Sequence, residues 1–442
     1  MRGAPPARAR SRAGRPAQAL EARGRSIARD DAVASGREER AARVRCPHFP
    51  SCVGCPLVGT LYGEQLRAKE RDLRDALRAF PSLGALAPER IAGSPSPFGY
   101  RNHARLVLRR RRAQGGPSEV VLGVYRPGTH SVMPAERCAV HDPGLRRLLV
   151  ALREEVEALA IPIFDERTRT GLLRYALARR SRWQRAIHLT LVSAAAAVPA
   201  LDRLLDRLRR AEPELESAFL CVNPTPGNAL LSSDIRKLFG PRALVERFGR
   251  LVLESRPDAF VQANVEVATR IYATAEQWLD PQPEDVVVDL YGGVGGIGLA
   301  LAPRLARVLG IESSAAAVEC ANANAKRAHH RHVRYVTAAA EDAATIAARE
   351  ALAPAAGGAT IAVVNPPRRG LTDAARRAVC DLAPRSILYL SCNPATLARD
   401  LAVLVERGYA VRRVRPFDML PQTPHLEVLA LLDAAPASGA SR

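Results

Sequence analysis

Cys392 lies in the stretch LYLSCNPATLARD (388–400), directly after the apolar run Leu388-Tyr389-Leu390, and helix-forming residues resume at Ala395. A thiol in a strand-to-helix turn stands where α/β proteins keep their chemistry. Only the thiolate is a strong nucleophile, and at an ordinary pKa of about 8.5 a few per cent is ionised at neutral pH. A position at the start of the following helix is expected to favour the anion. Cys320 and Cys380 fall inside predicted helices and read as inert, packed thiols. In PQTPHLEVLALL (421–432), His425 and Glu427 are two residues apart at the start of a predicted last strand. That spacing puts both on one side of the strand, and either could take a proton.

Two further strand ends carry polar chemistry. DLYGGVGGIG (289–298) holds Gly293-x-Gly295-x-x-Gly298, and Glu312 ends the next predicted strand. Such a loop lets a ligand approach the backbone closely, and the later acid would hold ribose hydroxyls. NAD and S-adenosylmethionine both satisfy it. In VVNPPRRG (363–370) two prolines stiffen the turn and remove backbone donors. Asn365, which offers a donor and an acceptor, joins Gly293, Gly295 and Glu312 among the candidate cofactor-side residues. The thiol favours one reaction. Uracil C5 is a poor nucleophile until a thiolate adds at C6. The resulting enolate can attack a sulfonium methyl, and a base must then remove the C5 proton so that the thiolate leaves.

These positions need a parallel sheet behind them. From 284 to 434, strands such as EDVVVDL, RVLGIES, VRYVTA, TIAVVNPP and SILYLSC alternate with helical stretches, which predicts a doubly wound sheet. Asp289, Glu312, Asn365 and Cys392 then fall at its carboxyl ends. From about 98 to 250 the sequence is rich in short β-like runs, separated by turns such as Gly115-Gly116 and Pro224-Thr225-Pro226-Gly227 and interrupted by helical patches at 144–158 and 200–210. In GEQLRAKERDLRDALRAF (63–80), Leu66, Leu73, Leu77 and Phe80 recur near helical spacing. The predicted organisation is a disordered basic tail (1–42), a cysteine-rich segment with its helix (43–90), a strand-rich α+β middle domain (91–250), a Rossmann-like α/β domain (251–434) and a disordered tail (435–442).

The 442 residues are 47% hydrophobic, enough for two or three cores, and carry a net charge of +20. Only Lys69, Lys237 and Lys326 are lysines, so arginine supplies nearly all the positive charge. A surplus of this size favours a polyanionic partner, most simply nucleic acid. Residues 1–45 hold 12 Arg against five acids. No apolar run reaches the length of a membrane span, and the amino terminus lacks a signal-peptide core. Eight cysteines, three of them within 46–55, are too few for a secreted disulfide scaffold, so reduced thiols and a cytoplasmic, monomeric protein are expected.

LYLSCNPATLARDL and HLEVLALL together resemble the nucleophile and general-base motifs of the S-adenosylmethionine-dependent RNA uracil-5 methyltransferases, which make 5-methyluridine in tRNA and 23S rRNA. GYRNHARLVL and LGVYRPGTH are similar to further family stretches, and the likeness runs from about 46 to 434. It implies Cys392 as nucleophile, Glu427 as proton acceptor, and Gln262 (in FVQANVEVA), Tyr291 and Glu312 at the cofactor. It also implies Cys46, Cys52, Cys55 and Cys138 as ligands of a 4Fe–4S cluster. Spacing alone would suit zinc equally. Three departures stand out. The family usually has Asp where this chain has Asn365, some members have Asn where Gly296 stands, and no complete N-terminal RNA-binding barrel fits before Cys46.

The reading is therefore an enzyme that flips a uridine out of structured RNA, 23S rRNA ahead of tRNA, and methylates its C5. Three alternatives remain at this stage. One is an N-methyltransferase using the Asn-Pro-Pro turn, although Arg368 follows where an aromatic residue usually stacks the base. Another is a non-catalytic RNA-binding factor, and the last is an NAD enzyme.

Overall fold

The computed structural model describes residues 46–112, 118–225 and 230–436. The amino-terminal tail, residues 437–442 of the carboxy-terminal tail, the Gly115-Gly116 turn and the second half of the Pro224–Gly227 turn lie outside them.

Two seven-stranded sheets form the frame. The sheet nearer the amino terminus contains β1 (His103–Arg112), β2 (Ser118–Tyr125), β3 (Val132–Pro134), β4 (Leu173–Ser181), β5 (Ala186–Ser193), β6 (Leu215–Val222) and β7 (Ile235–Phe239), in the order β3-β2-β1-β4-β5-β6-β7. Its one parallel pair, β5 with β6, is joined by the crossover helix Leu201–Ala211. That helix and Pro143–Ala158 cover one face, where Leu106, Leu108, Leu148, Leu152, Leu189 and Leu204 are buried together. Asp142 starts the longer helix by accepting from Gly144 N at 2.9 Å, with Pro143 at its first position.

The second sheet has the order β12-β11-β10-β13-β14-β16-β15. Its parallel strands are β10 (Val286–Leu290), β11 (Arg307–Glu312), β12 (Val333–Thr337), β13 (Thr360–Val364) and β14 (Ser386–Ser391). β16 (Glu427–Ala434) inserts antiparallel between β14 and β15 (Tyr409–Phe417). Side chains alternate strictly. Val287, Ile361, Val363, Leu388 and Leu390 face one core; Val288, Ala362, Val364, Ile387 and Tyr389 face the other. Both faces are covered, which is why these strands read as continuous apolar runs. The strand order reverses between β10 and β13, opening a crevice at their carboxyl ends.

The helices are α1 (Tyr62–Arg78), α2 and α3 (the two above), α4 (Val265–Leu279), α5 (Gly296–Leu301), α6 (Ala315–Arg327), α7 (Ala343–Arg349), α8 (Asp373–Asp381) and α9 (Pro394–Glu406). The two-stranded ribbon β8 (Leu244–Phe248) and β9 (Leu251–Ser255) packs Phe248, Leu251 and Leu253 into the same core as α4. Helix α1 buries Gln65, Lys69, Leu73 and Leu77, each four residues from the last. Leu73 and Leu77 of the expected apolar spacing lie on this stripe and Phe80, just past the helix, packs against the same core, but Leu66 is only partly buried and the other half of the stripe is the polar pair Gln65 and Lys69. No helix among the described residues is long and apolar enough to cross a membrane.

Candidate active site

The thiol of Cys392 sits between β14 and α9. Asn393 caps the helix, accepting from Ala395 N at 3.1 Å, and Pro394 takes the first helical position. The ladder between β14 and β16 ends with Ser391 paired to Val428. One step further along that register, Cys392 faces Glu427. Glu427 is partly buried, and the loss of hydration pushes its carboxyl up to about 8. The Cys392 thiol is also raised, first by burial and then by the Glu427 charge. This reverses the expectation that the helix start would favour the anion; desolvation and a facing carboxylate outweigh the helix end.

Arg368 opposes both shifts. Its guanidinium lies close enough to lower the thiol, and its charge also lowers Glu427 and His425. His425 lies in the loop just before β16, two residues ahead of Glu427. Arg368 carries no role in the motifs, and its place directly after the double proline is the signal that could have marked it.

The loop bearing Arg368 is fastened to α9. The Arg368 carbonyl accepts from Asn393 Nδ2 at 3.2 Å and Thr396 Oγ1 at 3.1 Å. Deeper, the buried carboxylate of Asp400 accepts from Leu371 N at 2.8 Å and Tyr389 Oη at 2.7 Å, and pairs with Arg376 and Arg399. A side chain at Gly370, where φ is +73°, would run into Asp400 Oδ2. Asp400 closes the stretch that holds Cys392, but nothing in its local sequence shows that it is buried and ties down the Arg368 loop.

On the cofactor side, Tyr291, Gly293, Glu312 and Asn365 gather where β10, β11 and β13 end. Glu312 accepts from Gly293 N at 3.1 Å and from Ser314 N at 2.8 Å, which fixes its carboxylate at the crevice. Gly293 has φ +56°, and no atom lies within 4 Å of where its side chain would be, so the backbone is open there. Gly295, at φ +91°, begins α5. Below them Asp289 is buried, accepting from Gly298 N at 3.2 Å and Tyr335 Oη at 2.8 Å; burial pushes it up to about 6. Asn365 is partly buried, with its N–H on Leu290 O at 3.3 Å. A backbone left bare by glycine beside a fixed carboxylate suits the sugar and amino acid portions of an adenosyl cofactor.

Gln262 is partly buried in the loop before α4, two residues after Phe260, which is 59% exposed. Arg179 of β4 holds this loop, donating to the carbonyls of Arg256 (2.8 Å), Pro257 (3.2 Å) and Ala259 (2.6 Å).

The four cysteines of the amino-terminal segment form a separate neighbourhood. Cys55 is buried beside Tyr100, Val140 and Cys138. Burial, with the charges of Cys138, Cys52 and Cys46, pushes Cys55 up to about 12. Among the described residues, no group of three or more His, Cys, Asp or Glu side chains is gathered to hold a metal ion.

Comparison with known proteins follows this geometry. Residues 247–435 match the family model described as tRNA (uracil-5-)-methyltransferase. An uncharacterised RNA methyltransferase of Geobacter sulfurreducens is 35% identical over 393 residues, covering 89% of this chain and 77% of the relative. One from Streptococcus mutans is 31% identical, covering 84% and 80%. In fold, the chain is similar to the crystal structure of Pyrococcus abyssi tRNA (uracil-54, C5)-methyltransferase in complex with S-adenosyl-L-homocysteine. The TM-score is 0.68 at 24% identity, with 87% and 86% of the two chains covered.

Proposed function

Because this chain belongs to the S-adenosylmethionine-dependent RNA uracil-5 methyltransferase family, we propose that it methylates C5 of one uridine in structured RNA through a temporary bond from Cys392. The observation that carries this reading is the facing pair Cys392 and Glu427 with Arg368 beside both.

Arg368 favours the thiolate of Cys392, which adds at uracil C6 and sends the ring electrons toward C5 and the C4 carbonyl. S-adenosylmethionine, when bound at Tyr291, Gly293, Gly295, Glu312 and Gln262, supplies an electrophilic methyl group. Once C5 is methylated, Glu427 removes the C5 proton. The C–H electrons restore the C5–C6 double bond, and the thiolate leaves. A carboxylate raised to about 8 is a strong base when ionised, which suits this step. Asn365 would accept from the ring N3–H, holding the base against the cofactor side.

Four thiols, Cys46, Cys52, Cys55 and Cys138, are the donor chemistry of a 4Fe–4S cluster and lie near enough for three of them to raise Cys55, although their side chains are not drawn together as a metal site in this structure. The proposed cluster is structural or RNA-contacting, since no electron is needed for methyl transfer. We place the enzyme in the cytoplasm and its target in 23S rRNA, because the cysteine segment resembles that of rRNA-modifying members.

Mapping 5-methyluridine in 23S rRNA and tRNA from cells with and without the gene tests the proposal. Loss of one 23S rRNA position is expected. An unchanged map in both RNAs overturns the function, and loss from tRNA alone overturns the substrate.

A further inference from the structure

The segment Asp418–Leu426 joins β15 to β16 and delivers His425 and Glu427 to the site. It contains no glycine, yet Gln422 has φ +70°, a left-handed conformation that costs free energy in a non-glycine residue. Something must hold it there. Gln65 does so from α1. Its side-chain amide accepts from Gln422 N at 3.0 Å, and its Nε2 lies 2.9 Å from Gln422 Oε1. The same Nε2 lies 3.0 Å from Leu57 O and 2.9 Å from Thr60 O, and Leu57 N donates to Gln422 O at 3.1 Å.

One turn along α1, Lys69 donates to Asp418 Oδ1 at 2.5 Å and to Leu420 O at 3.3 Å, and Tyr62 donates to Asp418 Oδ2 at 2.7 Å. Tyr100, which packs on Cys55, donates to Pro421 O at 3.0 Å. Gln65, Lys69, Asp418 and Gln422 are all buried to 2% exposure or less. A buried Gln and a buried Lys on an otherwise apolar stripe are costly unless fully partnered, and all of their partners lie in the segment before Glu427 or in the cysteine segment. Gln65 and Lys69 make no hydrogen bond to Cys392 or its loop; the contact of α1 with α9 is made further along by Leu73 and Leu77, which pack in one core with Leu397 and Leu401.

We propose that Gln65 and Lys69 are positioning residues for the proton acceptor, so that this polar pair on α1 governs removal of the C5 proton and not addition of the thiolate. The proposal rests on the assignment of Glu427 as the base. It predicts a split between two half-reactions that a general loss of folding would not give.

Gln65→Met, of similar size, and Lys69→Met would be made in the full-length protein, with thermal melting to confirm folding. The probes are 23S rRNA and tRNA from cells lacking the gene, carrying either [5-³H]uridine or 5-fluorouridine. Fluorine cannot leave as a proton, so 5-fluorouridine RNA stays covalently bound and reports every step before proton removal. Tritium release reports the removal itself. Both variants are expected to trap 5-fluorouridine RNA at the normal rate and to release tritium about 10- to 100-fold more slowly. Parallel loss of trapping and release, or normal release from a folded variant, overturns the proposal. Glu427→Gln runs alongside. Normal release from it would overturn the base assignment and this proposal together. Slow release from Glu427→Gln with normal release from Gln65→Met would overturn the bracing role alone.

Discussion

Cys392 and Glu427 face each other at the open end of one antiparallel ladder, one step beyond the pair Ser391 and Val428. The strand that reverses direction in an otherwise parallel sheet is thus what brings a nucleophile and a base to the same ring. Burial raises Glu427, burial and the Glu427 charge raise Cys392, and Arg368 is the cation that moderates both.

Removing the sulfur removes the reaction. Cys392→Ala should lower methyl transfer by about a thousandfold or more. Retention of 5-fluorouridine RNA on a denaturing gel should vanish, while RNA affinity measured by filter binding stays within about threefold. Label transfer at the normal rate would rule out the covalent route.

The raised carboxyl of Glu427 sets a pH dependence in both activity and stability. Ionised Glu427 is the active form, so kcat/KM for the free enzyme should climb as pH rises through about 8. In the folded state the carboxyl keeps its proton to about 8 against an ordinary 4.5, so the folded protein binds more protons than the unfolded chain between those values. Stability therefore falls as pH rises across that window. Glu427→Gln should be more stable than the native protein above pH 8, by on the order of 2 kcal/mol after allowance for partial exposure, as read by thermal melting at pH 5 and pH 9.

Arg368→Gln takes away the charge that lowers both groups. The activity profile should move to higher pH, with kcat/KM about 10- to 100-fold lower at pH 7 and a smaller deficit at pH 9. Arg368→Lys should fall between. A profile that drops without moving would show that Arg368 acts only through RNA contact.

Asn365→Asp places a charged acceptor where an amide now stands beside the crevice. A charge-assisted bond to the uracil N3–H is stronger, so kcat/KM should rise about 3- to 10-fold in steady-state methylation assays. A fall would assign the Asn365 amide donor, not its acceptor, to substrate or cofactor.

Asp400→Asn leaves Arg376 and Arg399 without their buried carboxylate and loosens the hold on Leu371 N and Tyr389. The expected destabilisation is about 3 kcal/mol by chemical denaturation. Tyr389→Phe, which loses one of those bonds, should cost about 1 kcal/mol.

The motifs around Cys392, Asn365, Glu312 and the glycine loop were legible because a doubly wound sheet puts local strand-to-helix turns at one edge, and each turn is written in a few adjacent residues. Helix α4 was overlooked although Asn264 caps it and Val267, Ala268, Ile271 and Ala275 line its buried face; β-branched residues hid the helical period. Asp289 was read as a strand-end group, yet it is enclosed beneath the glycine loop with Tyr335.

Sequence by itself determined the alternation of strands and helices, and with it which side chains stand at the strand ends, since period and turn chemistry are local properties. Only the tertiary structure decided that the Cys392 thiol is raised rather than lowered, that Arg368 tempers it, and that Gln65 reaches Gln422 across 357 residues of chain. Those outcomes depend on burial and on contacts between distant segments, and neither burial nor such contact is encoded in any short stretch of residues.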